Sequence, residues 1–179
     1  MSKKVLILSA SPRKGGNSDL LCDQFMTGAK EAGHSAEKIF FKDQKINYCT
    51  GCGTCLDKGK PCPQKDDMAE ILNKMIAADV IVMATPVYFY TMNAQMKTLI
   101  DRTCSRYTEI KDKEFYFIMT AAESSQQATK GTLEGFRWFT SLLGGAKEKG
   151  VIYGTGAWHA GDIKGKPAMK EAQAMGKAI

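Results

Sequence analysis

The sequence predicts an α/β fold built on a parallel, doubly wound sheet, and three observations predict it. Short β-branched or aromatic runs alternate with segments of helical period along the 179 residues. Two of those runs, Val5-Leu6-Ile7-Leu8 and Val80-Ile81-Val82-Met83-Ala84, are continuously apolar, as strands covered on both faces are. Cap and stop residues fall where the helices should begin and end. Strand, helix, strand, repeated along one chain, requires crossover connections and hence parallel pairing.

The elements follow in order. A first strand over 5–8 leads to a helix over 18–33, which Asn17 or Ser18 can cap and Gly33 can end. A second strand covers 36–41. The segment 43–65 then interrupts the pattern, and a loop of that length in a small domain is usually functional. A helix over 66–77, with Asp66 as its cap, precedes a third strand at 80–84 and a helix over 93–106. A fourth strand at 115–120 is followed by a helix over 126–143, which Gly144-Gly145 stops, and a fifth strand at 151–153 by a helix over 166–176. Residues 1–179 are expected to form one domain, since domains commonly run to about 100–200 residues, with a cysteine-rich insertion at 43–65.

Charge and hydropathy narrow the classes of function. The net charge is +6, from 25 Lys and Arg against 19 Asp and Glu. The lysines are dispersed among acidic residues with no basic stripe interleaved with aromatics, so nucleic-acid binding is not expected. Met1-Ser2-Lys3-Lys4 runs directly into the first strand, and no stretch of about 18 apolar residues occurs. A cytoplasmic protein without a membrane span is expected.

The loop after the first strand, Ser9-Ala10-Ser11-Pro12-Arg13-Lys14-Gly15-Gly16-Asn17-Ser18, gathers hydroxyls, two glycines, two cations and a helix N-terminus. Exposed backbone N–H groups and the helix dipole make such a turn an anion site. Its glycine spacing matches neither a Walker A loop nor the G-x-G-x-x-G dinucleotide fingerprint, so a monophosphate is the better fit. The carboxyl end of the first strand is also where doubly wound sheets bind ligands.

The row Cys49, Cys52, Cys55 and Cys62 has the spacing C-x2-C-x2-C-x6-C. Thiolates this close on one loop suit a soft metal or an iron–sulfur cluster, and in a reducing compartment they are not expected as structural disulfides. A cluster, a zinc ion and empty thiols all remain open from spacing alone. Cys22 and Cys104 fall on the expected helices and read as small buried hydrophobes. His34 reads as a surface or cap residue after Gly33. His159 lies in the glycine-rich segment 154–162, which reads either as a wide turn with Trp158 packed on the body or as a lid.

At this point the chain resembles a family. Ser9-x-Ser11-Pro12-Arg13-Lys14-x2-Asn17-Ser18 is similar to the phosphate loop of the flavodoxin-like, NADPH-dependent FMN reductases. Thr85-Pro86-Val87-Tyr88-Phe89-Tyr90, with Met92-Asn93-Ala94-Gln95-Met96-Lys97 and Asp101-Arg102, is similar to that family's stretch after strand three. The resemblance implies a flavodoxin-like three-layer sandwich with a five-stranded parallel sheet in the order 2-1-3-4-5. It also implies FMN bound by Ser9, Ser11, Arg13, Lys14, Gly16, Asn17 and Ser18 at the phosphate, by Pro86, Val87, Tyr88 and Phe89 along the ring, and by Thr120, Ala121 and Ala122 from the other side. No catalytic side chain is then needed, because FMN carries the redox chemistry.

The cysteine row resembles the C-x2-C-x2-C-x4-7-C motif that iron–sulfur flavoproteins carry after strand two. That likeness implies a [4Fe–4S] cluster on Cys49, Cys52, Cys55 and Cys62, placed on the rim beside the flavin ring and exchanging electrons with it. The expected donors are a ferredoxin or a transiently bound NAD(P)H, and the expected acceptor is a small molecule such as a flavin or quinone. A homodimer or homotetramer is implied as well. Two other functions stay open: a cluster-free NAD(P)H-dependent FMN or quinone oxidoreductase, and a zinc-stabilised flavin-binding module without turnover.

Overall fold

Alternation along β1 (Lys4–Ser9) sends Leu6 and Leu8 to one face of a sheet and Val5 and Ile7 to the other, and all four are buried. The computed structural model that describes residues 1–179 arranges the chain around that strand. In order come α1 (Asn17–Glu31), β2 (Ser35–Phe40), a single-turn α2 (Thr54–Asp57), α3 (Met68–Ala77), β3 (Val80–Tyr88), β4 (Thr91–Met92), α4 (Ala94–Arg102), β5 (Glu114–Thr120), α5 (Lys130–Ser141), β6 (Lys147–Gly154) and α6 (Pro167–Lys177). The parallel sheet runs β2-β1-β3-β5-β6, and β4 folds back antiparallel on the tip of β3. The five-stranded order expected from the sequence is therefore present, with one short added strand.

Each sheet face has its own core. Met68, Ile71, Leu72 and Met75 of α3, Met96 and Leu99 of α4, and Leu133, Phe136 and Phe139 of α5 cover Leu6, Leu8, Ile81, Met83, Phe115 and Phe117. On the opposite face, Leu21, Cys22, Phe25 and Ala29 of α1 and Ala168 and Ala172 of α6 cover Val5, Ile7, Val80, Val82, Ile118 and Ile152. This is the three-layer sandwich. The α1–α6 contact is close because Gly28 faces the Gln173 carbonyl and Gly176 faces the Phe25 carbonyl, at separations that leave no room for a Cβ.

Several boundaries differ from the sequence expectation, each for a local reason. Gly16, not Asn17 or Ser18, takes the cap position of α1 and offers no side chain there. The helix expected over 93–106 stops at Arg102, where Thr103 Oγ1 donates back to the Ile100 carbonyl at 2.7 Å and two short 3-10 turns follow. A 3-10 turn also replaces the first part of the helix expected from 126, so α5 begins at Lys130. The last strand begins at Lys147 rather than 151, because it pairs with β5 from Glu114 onward, and its first residues are polar and exposed at the sheet edge.

Candidate cofactor site

The carboxyl ends of β1, β3 and β5 open into a cleft of about 640 Å³, lined by Arg13, Asn17, Pro86, Val87, Tyr88, Phe89, Thr120, Ala122, Ala157 and Trp158. Cofactor and ligand pockets commonly enclose about 300–1,000 Å³. Eight of the residues expected to bind FMN are on this wall, drawn from three separate loops. Ser9, Ser11, Lys14, Gly16, Ser18 and Ala121 are not.

The loop after β1 is held by its own hydrogen bonds. Ser11 Oγ donates to the Arg13 carbonyl at 2.8 Å and accepts from Arg13 N at 3.2 Å, while Gly16 N donates to the same carbonyl at 2.9 Å. Buried Asp19 organises the turn from behind. Its carboxylate accepts from Ser9 Oγ at 3.1 Å, from Gly15 N at 3.0 Å and from Lys38 Nζ at 2.8 Å. Burial works against the Lys38 charge, but Asp19 and Asp23 outweigh it and hold its pKa above the ordinary value. Burial also pushes the Cys22 thiol, beneath this turn, strongly upward.

The side-chain amide of Asn17 has no capacity left for a ligand. Nδ2 donates to the Ala157 and His159 carbonyls at 3.2 and 2.9 Å, and Oδ1 accepts from Gly161 N and Ile163 N at 3.0 and 3.3 Å. It clasps the loop after β6 onto the N-terminus of α1. The donors left for an anion are the first-turn N–H groups of α1, which no helix can satisfy internally, and the exposed cations Arg13 and Lys14. Arg13 makes one long bond, to the Trp158 carbonyl at 3.4 Å.

The second wall is the tip of β3. Val87 pairs with Met92 and Tyr88 with Thr91, leaving Phe89 and Tyr90 as a two-residue turn with φ of 49° and 64°. Left-handed backbone costs an L-residue roughly 1–2 kcal/mol, so the hairpin spends stability to project aromatic side chains. Phe89 is fully exposed and Tyr90 is 65% exposed. Thr85 and Asn93 brace the turn from below: Asn93 N donates to Thr85 Oγ1 at 3.2 Å, and Asn93 Oδ1 caps α4 by accepting from Met96 N at 3.1 Å.

The third wall joins the loops after β5 and β6. Ala121 N donates to the Gly154 carbonyl and Ala157 N to the Ala121 carbonyl, so the Ala121 backbone is spent on tying the loops together. Asp162 Oδ2 accepts from Trp158 N and His159 N at 3.0 and 2.7 Å and shapes the turn. Trp158 does not pack on the body of the protein; it is 68% exposed at the cleft. Ala157 and Trp158 were not among the residues expected to bind FMN, although the lid reading of the glycine-rich segment 154–162 pointed to this stretch.

None of the four cysteines of the row is among the residues that line this cleft. Cys49 and Cys52 are exposed and Cys55 and Cys62 half-buried, and all are free thiols. No three of the chain's Cys, His, Asp and Glu side chains are gathered as a metal-holding group. Gly51 and Gly53, at φ of 64° and 71°, turn the backbone in both gaps between the first three cysteines, a conformation that glycine adopts without strain. A hydrogen bond to Thr54 favours the Cys52 thiolate and lowers its pKa. The stem of the loop is closed by Lys45 N to Asp67 Oδ2 at 2.6 Å, Asn47 N to Asp66 Oδ2 at 3.0 Å and Gln64 Nε2 to the Tyr48 carbonyl at 3.0 Å.

Two residues outside the row reach it. Arg102, at the end of α4, donates to Cys62 Sγ at 3.7 Å while paired with Asp66. Cys104, expected as a buried hydrophobe on a helix, instead lies half-buried in the 3-10 turn beyond α4; burial first, then the neighbouring Cys55 and Cys49 thiols, raise its pKa. As for Cys22, the expected burial inside a helix is what the structure contains.

The family described as NADPH-dependent FMN reductase matches residues 3–144. An iron–sulfur flavoprotein of Archaeoglobus fulgidus is 44% identical over 99 residues, which are 55% of this chain and 44% of the relative. One from Methanocaldococcus jannaschii is 44% identical over 100 residues, 56% of this chain and 51% of the relative. The chain spans about half the length of these curated relatives. Among solved structures, an FMN-dependent NADH-azoreductase of Bacillus anthracis in complex with FMN superposes with a TM-score of 0.76 at 16% identity, covering 98% of both chains. That likeness is one of fold.

Proposed function

The chain belongs to the NADPH-dependent FMN reductase family, and from that premise we propose that it is a flavin-dependent oxidoreductase that binds FMN in the cleft and a [4Fe–4S] cluster on its cysteine loop. One observation carries the flavin reading. The cleft has unsatisfied helix N–H groups and Arg13 at one end and the backbone of Pro86 to Phe89 along another wall, which fits an anionic tail joined to a planar ring. Bound there, FMN supplies the electron-accepting chemistry.

The residues of the chain then bind, orient and exclude water. The first turn of α1, Arg13 and Lys14 take the phosphate. Pro86, Val87, Tyr88 and Phe89 align the ring from the β3 side, and Thr120 and Ala122 face it from β5. Trp158 closes the open side, and Asn17 holds the Trp158 loop in place.

Cys49, Cys52, Cys55 and Cys62 would hold the cluster. The fit is one of donor chemistry: soft thiols on one loop, glycine turns between them and a buried cation against the fourth. NAD(P)H or a ferredoxin as donor, a small flavin- or quinone-like acceptor, and a second copy of this chain against the exposed aromatic rim complete the proposal. No helix is long and apolar enough to cross a membrane.

Anaerobic purification with iron, sulfide and flavin analysis tests this reading. The expected protein is brown, with flavin absorption over a broad visible background and about four irons per chain, the content of a [4Fe–4S] cluster. A yellow, iron-free protein that oxidises NADPH would overturn the cluster and keep the flavin enzyme. Stoichiometric zinc would support the structural module instead, and failure to bind FMN would remove the whole reading.

A further inference from the structure

Arg102 is 3% exposed and has more partners than a structural ion pair needs. Nη1 and Nη2 reach Asp66 Oδ2 and Oδ1 at 2.6 and 3.0 Å, a bidentate pair in which both side chains are essentially removed from solvent. Nη1 also donates to the Asn47 carbonyl at 2.6 Å, and Nη2 to Cys62 Sγ at 3.7 Å. Asp66 in turn accepts from Asn47 N and Met68 N at 3.0 and 3.2 Å. One guanidinium thus ties the chain before the first cysteine to the chain after the last. Nε is buried with no partner, so a proton is desolvated without an acceptor.

Burying a charge pair costs several kcal/mol per ion before the attraction is counted, and Asp66 and Asn47 take three of the five guanidinium N–H groups. The further donor is directed at a sulfur. Arg102 stays protonated at any ordinary pH, so its N–H can only donate. Hydrogen bonds and positive charge at ligating thiolates stabilise the metal-bound, more negative state and raise the reduction potential of a cluster held there.

We propose that Arg102 is a positioning residue for the thiolate metal site: its guanidinium fixes Cys62 by an N–H···S bond, strengthens soft-metal binding and raises the potential of a cluster bound there. The effect on potential rests on the cluster reading above; the effect on metal binding does not. Asp66 offsets part of the charge, but the N–H facing the sulfur belongs to the cation, so the local field at Cys62 remains positive.

The test compares FMN-loaded wild type with Arg102→Gln and Arg102→Lys, using Cd²⁺ as the probe and its thiolate charge-transfer absorption as the signal. Loss of an outer partner of a metal ligand typically weakens affinity by about 10–100-fold; that loss is expected for Arg102→Gln. Arg102→Lys keeps the charge but cannot hold Asp66, Asn47 and Cys62 together, and falls between. FMN affinity stays unchanged in both, which separates the effect from general destabilisation. After iron loading, the midpoint potential falls in the same order.

Wild-type Cd²⁺ affinity in Arg102→Gln, or an unchanged potential in the iron-loaded variant, overturns the inference. If Arg102→Gln does not fold, Arg102→Lys decides: wild-type Cd²⁺ affinity there overturns it. An Arg102-dependent Cd²⁺ site in a protein that takes up no iron supports the positioning role while bringing down the cluster reading.

Discussion

Asn93 Nδ2 donates to the Ala10 carbonyl at 2.6 Å, so one buried side chain joins the end of β1 to the start of α4. The same amide caps α4 and meets Thr85. Two of the three cleft walls therefore share a single tie. Replacement by Ala removes a cap worth about 1 kcal/mol and orphans buried groups at about 1–3 kcal/mol. Asn93→Ala is expected to lose roughly 2–4 kcal/mol in denaturant unfolding and to release FMN. Asn93→Asp keeps the cap and sets a carboxylate against a carbonyl, so it falls between.

Arg13→Ala removes a cation from the anion end of the cleft. Charged hydrogen bonds contribute about 1.5–3 kcal/mol, so FMN affinity should fall about 10–100-fold. The loss should shrink at high salt, where the wild-type contact is screened. Fluorescence titration at two ionic strengths checks both effects.

Asn17→Ala should also weaken FMN retention, but indirectly. It frees the segment 157–163, so limited proteolysis should cut there in Asn17→Ala and not in Arg13→Ala. Equal resistance of the two variants would return Asn17 to direct phosphate binding.

Lys38 gives a pH signature. Its pKa is raised above the ordinary 10.5 by Asp19 and Asp23 against the cost of burial. The stabilisation is full below 10.5 and is lost as pH rises through the higher folded value. Thermal melts of wild type should fall more steeply in alkali than those of Lys38→Met. At neutral pH that variant leaves Asp19 buried without its cation, at a cost of about 3 kcal/mol.

Trp158→Ala should leave the fold intact, because the side chain is mostly exposed. It opens the cleft to water. Faster FMN dissociation, with Km for the electron donor altered more than unfolding stability, is the expected result.

The sheet was legible because a buried parallel strand must be apolar throughout, and Val5 to Leu8 and Val80 to Ala84 are. The strand β4 was not, since two residues carry no period. The true start of β6 was hidden because an edge strand can be polar. At the site, residue types announced an anion loop correctly in kind, but Asn17 shows the limit of that reading. An amide suited to phosphate is equally suited to clasping a loop, and only tertiary placement decides. Asp19 and Arg102 escaped for a related reason: a helical acid or base reads as surface until a neighbour removes it from water. The cysteines were conspicuous by spacing, while the ties that close the stem of 43–65, and the approach of Arg102 and Cys104, depend on tertiary placement.

That closed stem gives the cysteine lobe a neck of its own. Residues 45–48 meet 64–67 as the neck of a pouch, and Arg102 and Cys104 join what it holds to the end of α4. With no cysteine in the cleft lining, metal content and flavin content are expected to vary independently in one molecule. A population stripped of metal by air should still be uniformly yellow.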